Sequence, residues 1–182
     1  MQNQLQTTKE AITIRRAAED DAVVLAELGV RTIRQTYGAA FSSEDIDRHT
    51  SEAFSVKQLN TELANPEIFY FLATVNQQPC GYAKLQPTST PDAITGTRPI
   101  ELVRLYLNSE WIGQGIGAKL MQTALEFAAN NGFGTCWFRV LESNARAIAF
   151  YRRWGFVEVG SEHYPATGDI TVTVLLMTRL VD

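Results

Sequence analysis

The hydrophobic and polar positions of this chain follow two different periods, which predicts a protein with both strands and helices. Short alternating or continuous apolar runs predict strands, and apolar residues three and four positions apart predict amphipathic helices. Seven strands are predicted, at residues 12–16, 68–75, 80–85, 100–107, 136–140, 156–160 and 170–180. Five helical regions are predicted, at residues 20–37, 42–54, 56–64, 115–131 and 144–154. Residues 76–79 are a predicted hairpin turn, residues 86–99 a long surface loop, and a loop with His163 and Gly168 joins the last two strands.

The stretch from Ile100 to Leu120 combines a buried strand, a glycine-rich turn and the start of a helix. The first N–H groups of a helix have no internal acceptor, and the helix dipole adds partial positive charge there, so such a junction suits a phosphate or pyrophosphate. Gly113, Gly115 and Gly117 lack Cβ atoms and therefore allow positive φ and the close approach of a bulky anion. The pattern predicts a polyphosphate-binding loop in the middle of the chain.

A dinucleotide-binding fold is the alternative interpretation of these glycines. Gly113, Gly115 and Ala118 fit G-x-G-x-x-A, and Glu142 closes the next strand. A dinucleotide-binding fold begins with this unit and repeats it, whereas here the turn comes after several strands and helical regions and few elements follow it. The order of elements therefore argues against a dinucleotide site.

Composition and charge narrow the class of protein. The chain has 182 residues, 45% of them hydrophobic and 20% charged, which is ordinary for a soluble globular protein. A net charge of −4 and the absence of a Lys/Arg run argue against nucleic acid or a membrane surface as a partner and favour a cationic substrate. Residues 1–10 are polar and are expected to form a flexible tail without a secretory signal, followed by a single domain over 11–182. Cys80 and Cys136 lack metal or disulfide spacing, so we expect a cytoplasmic protein with no metal site.

A second motif follows the glycine turn. Residues Asn144–Phe156 read NARAIAFYRRWGF and match N-x-x-A-I-x-F-Y-x-x-x-G-F, while Gln114–Ala118 read QGIGA. Together, in this order, the two motifs resemble the GNAT superfamily of N-acetyltransferases, and the resemblance covers residues 12–180. It implies an α/β GNAT fold with a mixed, splayed sheet of seven strands flanked by about four helices. The whole pattern, with IRRAAEDD near the start, is most similar to the bacterial subgroup that includes polyamine acetyltransferases.

The resemblance implies acetyl-CoA as co-substrate. Residues 112–118 would bind its pyrophosphate through backbone N–H groups, so Ile112 is acceptable where the family usually has Gln or Arg. The strand equivalent to 104–107 would carry a bulge and a splayed edge, at which backbone groups bind pantetheine and one amide polarises the thioester carbonyl. Asn144 and Arg153 are further candidates, although a helix N-cap and an exposed helix arginine are their structural alternatives. The implied cofactor-binding residues are Leu105, Tyr106, Leu107, Ile112, Gly113, Gln114, Gly115, Ile116, Gly117, Ala118, Asn144 and Arg153.

Two residues are candidates for the proton transfers. The resemblance implies that Tyr151 donates a proton or a hydrogen bond to the departing thiolate, and the alternative is an aromatic side chain packed in the core. Glu101 is the candidate base for the acceptor ammonium, because a carboxylate in an apolar strand is expected to have a raised pKa. Its alternative is a strand-end ion pair with Arg104 or another cation, and a water chain, as in many relatives of the family, is the alternative base. His49 and His163 are expected to be surface or loop residues.

The predicted function is transfer of acetyl from acetyl-CoA to a primary amine, a polyamine or similar small cationic amine, by direct attack. An acidic helix face with Glu44, Asp45, Asp47 and Glu52 would attract such an acceptor if it lines the acceptor cleft, and a solvated face is its alternative. Two other functions stay open: a protein or peptide N-acetyltransferase, and a non-catalytic acyl-CoA-binding regulatory module. A homodimer formed through residues 170–180 is possible in this family.

Overall fold

All seven predicted strands are present, and they form one sheet. The structure is a computed structural model that describes residues 11–39, 41–167 and 170–181. The strands are β1 (Ile12–Arg16), β2 (Phe69–Val75), β3 (Gln78–Gln86), β4 (Pro99–Leu107), β5 (Thr135–Leu141), β6 (Val157–Thr167) and β7 (Ile170–Leu180). Their order in the sheet is β1-β2-β3-β4-β5-β7-β6, with β4 and β5 parallel and the other neighbours antiparallel. The predicted tail, residues 1–10, lies outside the described residues, as does Gly168.

Five α-helices occur in the described residues. They are α1 (Ala22–Tyr37), α2 (Ser43–Ala53), α3 (Val56–Ala64), α4 (Ile116–Asn130) and α5 (Ala145–Arg153). Ser42 and Ser55 begin α2 and α3, because each hydroxyl accepts a hydrogen bond from the N–H group three residues later, at 3.1 Å. The mixed seven-stranded sheet with flanking helices confirms the fold class that the resemblance implied.

The sheet separates two apolar cores. On one face, α4 and α5 pack against β4, β5 and β7 through buried side chains such as Leu120 and Phe138. On the other face, α1, α2 and α3 pack against β2 and β3 around Leu25, Leu59 and Tyr70. Both helical layers follow from the three- and four-residue apolar spacing, since each helix buries one stripe against the sheet.

The sheet opens in the middle, between β4 and β5. These strands pair only at three positions, which end at Glu101 opposite Trp137, and from Phe138 onward β5 pairs with β7 alone. In addition, β4 carries a bulge: Leu102 lies opposite Leu85 and Arg104 opposite Lys84, so Val103 has no partner on β3. A splay is present as predicted, the bulge lies one residue before the predicted range 104–107, and one backbone edge of β4 beyond Glu101 faces a gap.

Two connections differ from the prediction. The β2–β3 turn contains only Asn76 and Gln77, both at positive φ (48° and 68°), so β3 already begins at Gln78. Such a two-residue turn matches the twist of a hairpin, but Asn-Gln lacks the glycine that usually signals it. At the other end, β6 continues beyond residue 160 because it pairs with β7 as far as Thr167. His163 therefore lies on a strand rather than in a loop.

Candidate active site

The glycine turn before α4 presents a row of free backbone donors. Gly113 and Gly115 have φ values of 91° and 82°, and the N–H group of Lys119 donates to the Gly115 carbonyl at 3.1 Å as the first bond of the helix. Within the described part of the chain, the N–H groups of residues 113–118 donate to no acceptor. A Cβ added to Gly113, Gly115 or Gly117 would meet no described atom within 4 Å. Free donors beside open space at a helix N-terminus form an anion-binding site.

A groove of about 570 Å³ extends from this turn along the gap between β4 and β5. Its walls are the unpaired edge of β4, the start of α4 and the first turns of α5. An extended, amide-containing chain can pair with a free strand edge in the way that another strand does. The groove thus joins an anion site to a peptide-like binding edge, which fits the pyrophosphate and pantetheine of coenzyme A.

Most of the predicted cofactor-binding residues line this groove. These are Leu105, Tyr106, Leu107, Ile112, Gly113, Gly115, Gly117, Ala118, Asn144 and Arg153. The side chains of Gln114 and Ile116 do not line the groove. The Gln114 amide donates to the Glu110 carbonyl at 3.0 Å, and Ile116, the first residue of α4, is fully buried in the core. These two can contribute only backbone N–H groups. Asn144 is also the N-cap of α5, since its Oδ1 accepts from the Ala147 N–H group at 3.1 Å.

Tyr151 lies on α5 and lines the groove. Its ring packs on Phe138, with 4.1 Å between centroids, and meets Phe150 and Phe156 edge-on. Burial raises the pKa of Tyr151, and the neighbouring hydroxyls of Tyr106 and Tyr37 add to the shift. The phenol is therefore protonated at neutral pH and is able to donate. The aromatic packing that was the alternative for this residue is present, and its role toward the thiolate stays a prediction.

A second cavity, which we call the side cavity, lies on the other face of the sheet. It has a volume of about 260 Å³. Its aromatic and aliphatic lining comprises Ile33, Tyr37, Phe41, Ile46, Val103, Tyr106, Leu141, Tyr164, Val172 and Val174, and its charged or titratable lining comprises Asp45, His49, Glu101, Arg104 and Arg139. The side cavity opens onto the groove, because six residues line both: Tyr37, Val103, Arg104, Tyr106, Arg139 and Leu141.

Glu101 lines the side cavity as a buried carboxylate with two donors. Its Oε1 accepts from Arg139 at 2.8 Å, and its Oε2 accepts from the Thr88 hydroxyl at 2.6 Å. Arg139 also pairs with Glu162 on β6, so one cation lies between two carboxylates. The ion-pair alternative for Glu101 is thus present, but with Arg139 rather than Arg104 as partner. Thr88 comes from the long loop before β4.

Arg104 and His49 lie around the Phe54 ring and line the same cavity. The Arg104 guanidinium lies 4.3 Å from the centre of the Phe54 ring and donates to the Tyr70 hydroxyl at 3.3 Å. The same Phe54 ring meets His49 edge-on, at 6.3 Å between centroids. Burial, and secondarily the charge of Arg104, lower the pKa of His49. His49 is exposed as predicted, but it lines the cavity rather than an unrelated surface.

Several side chains of the side cavity were not identified as functional from the sequence. Arg139 had one signal, a charged residue inside the otherwise apolar stretch Cys136–Val140. Tyr37 had none, because it continues the apolar stripe of α1. Tyr164 and Thr88 lie far from any motif in the sequence. The predicted acidic residues of α2 do not share one environment. Asp45 lines the cavity, whereas Asp47 is exposed and pairs with Arg34 at 2.6 Å.

A helix-terminus anion site, an open strand edge and a second cavity that meets both are the parts of an acyl-CoA-dependent transferase. The family model described as "Acetyltransferase (GNAT) family" matches residues 30–156, so the chain belongs to that family. It is therefore an acetyl-CoA-dependent N-acetyltransferase.

Individual relatives agree with this family. An uncharacterized N-acetyltransferase of Lactobacillus delbrueckii is 26% identical over 168 residues, covering 92% of this chain and 96% of the relative. The spermidine N(1)-acetyltransferase of Thermoplasma acidophilum is 26% identical over 150 residues, covering 80% of this chain and 88% of the relative. The crystal structure of the PaiA N-acetyltransferase from T. acidophilum, in complex with coenzyme A, superposes with a TM-score of 0.74 over 93% of this chain and 99% of that one, at 23% identity.

Two further features concern metals and membranes. Among the described residues, no three His, Cys, Asp or Glu side chains cluster as metal ligands would. The expectation that catalysis needs no metal stays a prediction. None of the helices in the described ranges has the length and apolar character needed to cross a bilayer.

Proposed function

We propose that the side cavity takes a small cationic primary amine of the polyamine type and that the enzyme acetylates it. The observation that carries this proposal is the position of two carboxylates, Glu101 on β4 and Asp45 on α2, on separate walls of a cavity whose other lining, apart from one histidine and two arginines, is aromatic and aliphatic. A diamine has two positive charges separated by an apolar chain, and it matches that arrangement. The similarity to the protein named spermidine N(1)-acetyltransferase supports the same class.

The charges around the cavity support a cationic acceptor despite its two arginines. Glu101, Arg139 and Glu162 form a cluster with one more negative than positive charge. On another wall, Arg104 lies against Phe54 and near a buried ion pair in which Lys84 donates to Glu62 at 2.8 Å, so this second group has one more positive than negative charge. The excess negative charge therefore belongs to the wall that contains Glu101, and we place the reacting amine there.

The groove residues have distinct roles in the proposed reaction. Acetyl-CoA supplies the thioester carbonyl that the amine attacks. The free N–H groups of residues 113–118 bind the pyrophosphate, and Asn144 and Arg153 border the same groove. The backbone of Leu105, Tyr106 and Leu107 holds the pantetheine arm, and one amide of this edge stabilises the oxyanion.

The proton balance gives Glu101 and Tyr151 their proposed roles. Acetyl transfer forms a C–N bond and breaks a C–S bond, while the ammonium loses two protons, one of which ends on the thiolate and the other in solvent. Glu101 accepts the first proton through a lone pair that Thr88 and Arg139 leave unused. Tyr151, kept neutral by burial, donates to the thiolate.

We propose direct attack without an acetylated enzyme. Both cysteines are fully buried, and burial raises the pKa of Cys80 to about 11 and that of Cys136 to about 12, so neither is a reactive thiolate at neutral pH. Buried free thiols also fit a reducing compartment, and we propose a cytoplasmic enzyme without a nucleic-acid or membrane partner. A homodimer through β7 belongs to the same proposal.

The test is CoA release from acetyl-CoA with a panel of acceptors. The panel contains putrescine, spermidine, spermine, n-hexylamine and a basic peptide with a free N-terminus, with Glu101→Gln in parallel. We expect the highest kcat/KM with a polyamine and a kcat about 100-fold lower for Glu101→Gln.

Each other result identifies an alternative function. Faster turnover of the peptide than of any polyamine would indicate a protein or peptide N-acetyltransferase. Tight binding of acetyl-CoA without turnover of any amine would indicate an acyl-CoA-binding module.

A further inference from the structure

Three tyrosines surround the point where the groove and the side cavity meet. Tyr37 on α1 and Tyr106 on β4 line both, and Tyr151 on α5 lines the groove. Their hydroxyls are close enough to act on one another: after burial, the nearness of Tyr106 and Tyr37 raises the pKa of Tyr151, and Tyr106 raises that of Tyr37. In the proposed function, a thioester in the groove and an amine in the side cavity meet at this junction.

The three hydroxyls have no protein partner in the described part of the chain. Tyr37, Tyr106 and Tyr151 donate to and accept from no described residue, and all three side chains are half-buried. Tyr70 differs, because its hydroxyl contacts Glu62 and accepts from Arg104. Partly buried phenol groups normally find a partner, so these three are available to whatever binds at the junction.

The chemistry of an attacking amine matches two of these hydroxyls. A neutral primary amine uses its lone pair for attack and keeps two N–H donors, whereas a secondary amine keeps one and carries a carbon in place of the other. A phenol hydroxyl has two lone pairs and one proton, so it can accept from an amine while it donates elsewhere. Burial raises the pKa of both Tyr37 and Tyr106, so both stay in this neutral form.

We propose that Tyr37 and Tyr106 accept the two N–H groups of the attacking amine and thereby make the enzyme selective for primary over secondary amines. The inference rests on the proposed function, because it concerns the amine that the side cavity binds. Tyr151 is then left to donate to the thiolate. A secondary amine leaves one of the two hydroxyls unpaired and places its extra carbon against it, which is a strong basis for discrimination.

The test compares putrescine with N,N′-dimethylputrescine, in which both nitrogens are secondary. We expect the wild-type enzyme to prefer putrescine by at least about 100-fold in kcat/KM. Tyr37→Phe and Tyr106→Phe should each lower kcat/KM for putrescine by about 10-fold and change the dimethyl compound less, so that the ratio falls. Tyr82→Phe is the matched control, because Tyr82 is a fully buried tyrosine that lines neither cavity.

A binding measurement separates positioning from structural damage. By calorimetry, Tyr37→Phe and Tyr106→Phe should bind CoA as the wild type does, and their CoA complexes should bind putrescine about 3- to 10-fold more weakly. An unchanged primary-to-secondary ratio in both variants, or the same fall in Tyr82→Phe, would overturn the inference. Wild-type enzyme that turns over neither diamine would instead contradict the proposed polyamine function.

Discussion

The groove and the side cavity are built by opposite means. The groove offers its ligand mainly backbone groups, namely the free N–H groups of residues 113–118 and the open edge of β4, and nearly half of its lining residues come from one continuous stretch, 102–118. The side cavity is formed by side chains from α1, α2 and four strands, and its lining residues are up to 141 positions apart in the chain, from Ile33 to Val174.

This difference separates binding of the co-substrate, which depends on backbone groups, from binding of the acceptor, which depends on side chains. Backbone donors bind a pyrophosphate whatever side chains surround them, so the groove tolerates Ile112 in place of the usual Gln or Arg. The side cavity depends on particular residues, such as the Glu101–Arg139 pair, and under the proposed function one substitution there is expected to change which acceptor fits. The same scaffold can therefore keep its co-substrate while its acceptor changes.

The largest effect should come from the hydroxyl that the groove presents to the thiolate. Tyr151→Phe keeps the ring on Phe138 and removes only the proton donor. We expect kcat to fall about 100-fold while CoA affinity stays unchanged. Stopped-flow or steady-state CoA release gives kcat, and calorimetry gives the affinity. If kcat changes less than twofold, the thiolate leaves without help from this residue.

The second largest effect should be weaker CoA binding when the backbone of the glycine turn is disturbed. Gly115→Ala adds a methyl group at φ 82° beside the free donors, so we expect CoA to bind at least about 10-fold more weakly. Gly155→Ala is the matched control: its φ is 79°, but its added Cβ lies outside both cavities. Both variants should lose about 1 kcal/mol of folding free energy. Equal CoA affinity in the two variants would show that backbone strain, not the anion site, is responsible.

A smaller effect on the KM for spermidine should test the proposed role of Asp45 in the side cavity. Asp45→Asn removes one of the two proposed ammonium partners at a partly exposed position, so KM for spermidine should rise about 3-fold. KM for n-hexylamine, which has one charge, should stay unchanged. Asp47→Asn on the exposed side of α2 is the control. An equal rise for both amines would mean that Asp45 acts on the cavity shape rather than on the second charge.

The smallest effect should be a pH dependence of stability through His49. Its pKa is lowered from 6.5 in the folded protein, so below about pH 6.5 the unfolded chain binds more protons than the folded one. The unfolding free energy therefore rises with pH in this window: the contribution is present above pH 6.5 and is lost as pH falls through the folded pKa. Urea unfolding at several pH values should show a flatter profile for His49→Gln, with His163→Gln, on exposed β6, as control. An unchanged slope in His49→Gln would contradict the prediction.

Elements whose signals are local could be predicted from the amino-acid sequence. The three- and four-residue spacings in α1 and α4, the serines before α2 and α3, and the glycines between β4 and α4 all act within a few residues, so their structures could be predicted. Local signals did not predict the length of the turn at Asn76–Gln77 or the end of β6. Both depend on how the strands pair and not on local composition. The Asn144–Phe156 motif belongs to the local class, which is why the groove was largely anticipated.

The contacts between side chains in the side cavity could not be predicted from the sequence, because they depend on the tertiary fold. Glu101 and Arg139 are 38 residues apart and meet because β4 and β5 are parallel neighbours, and Thr88 reaches the same carboxylate from a loop without a motif. His49 and Tyr37 reach the cavity because α1 and α2 pack over the opened sheet. Strand order and register are set by the packing of the whole chain, and no short-range pattern encodes which distant side chains they bring together.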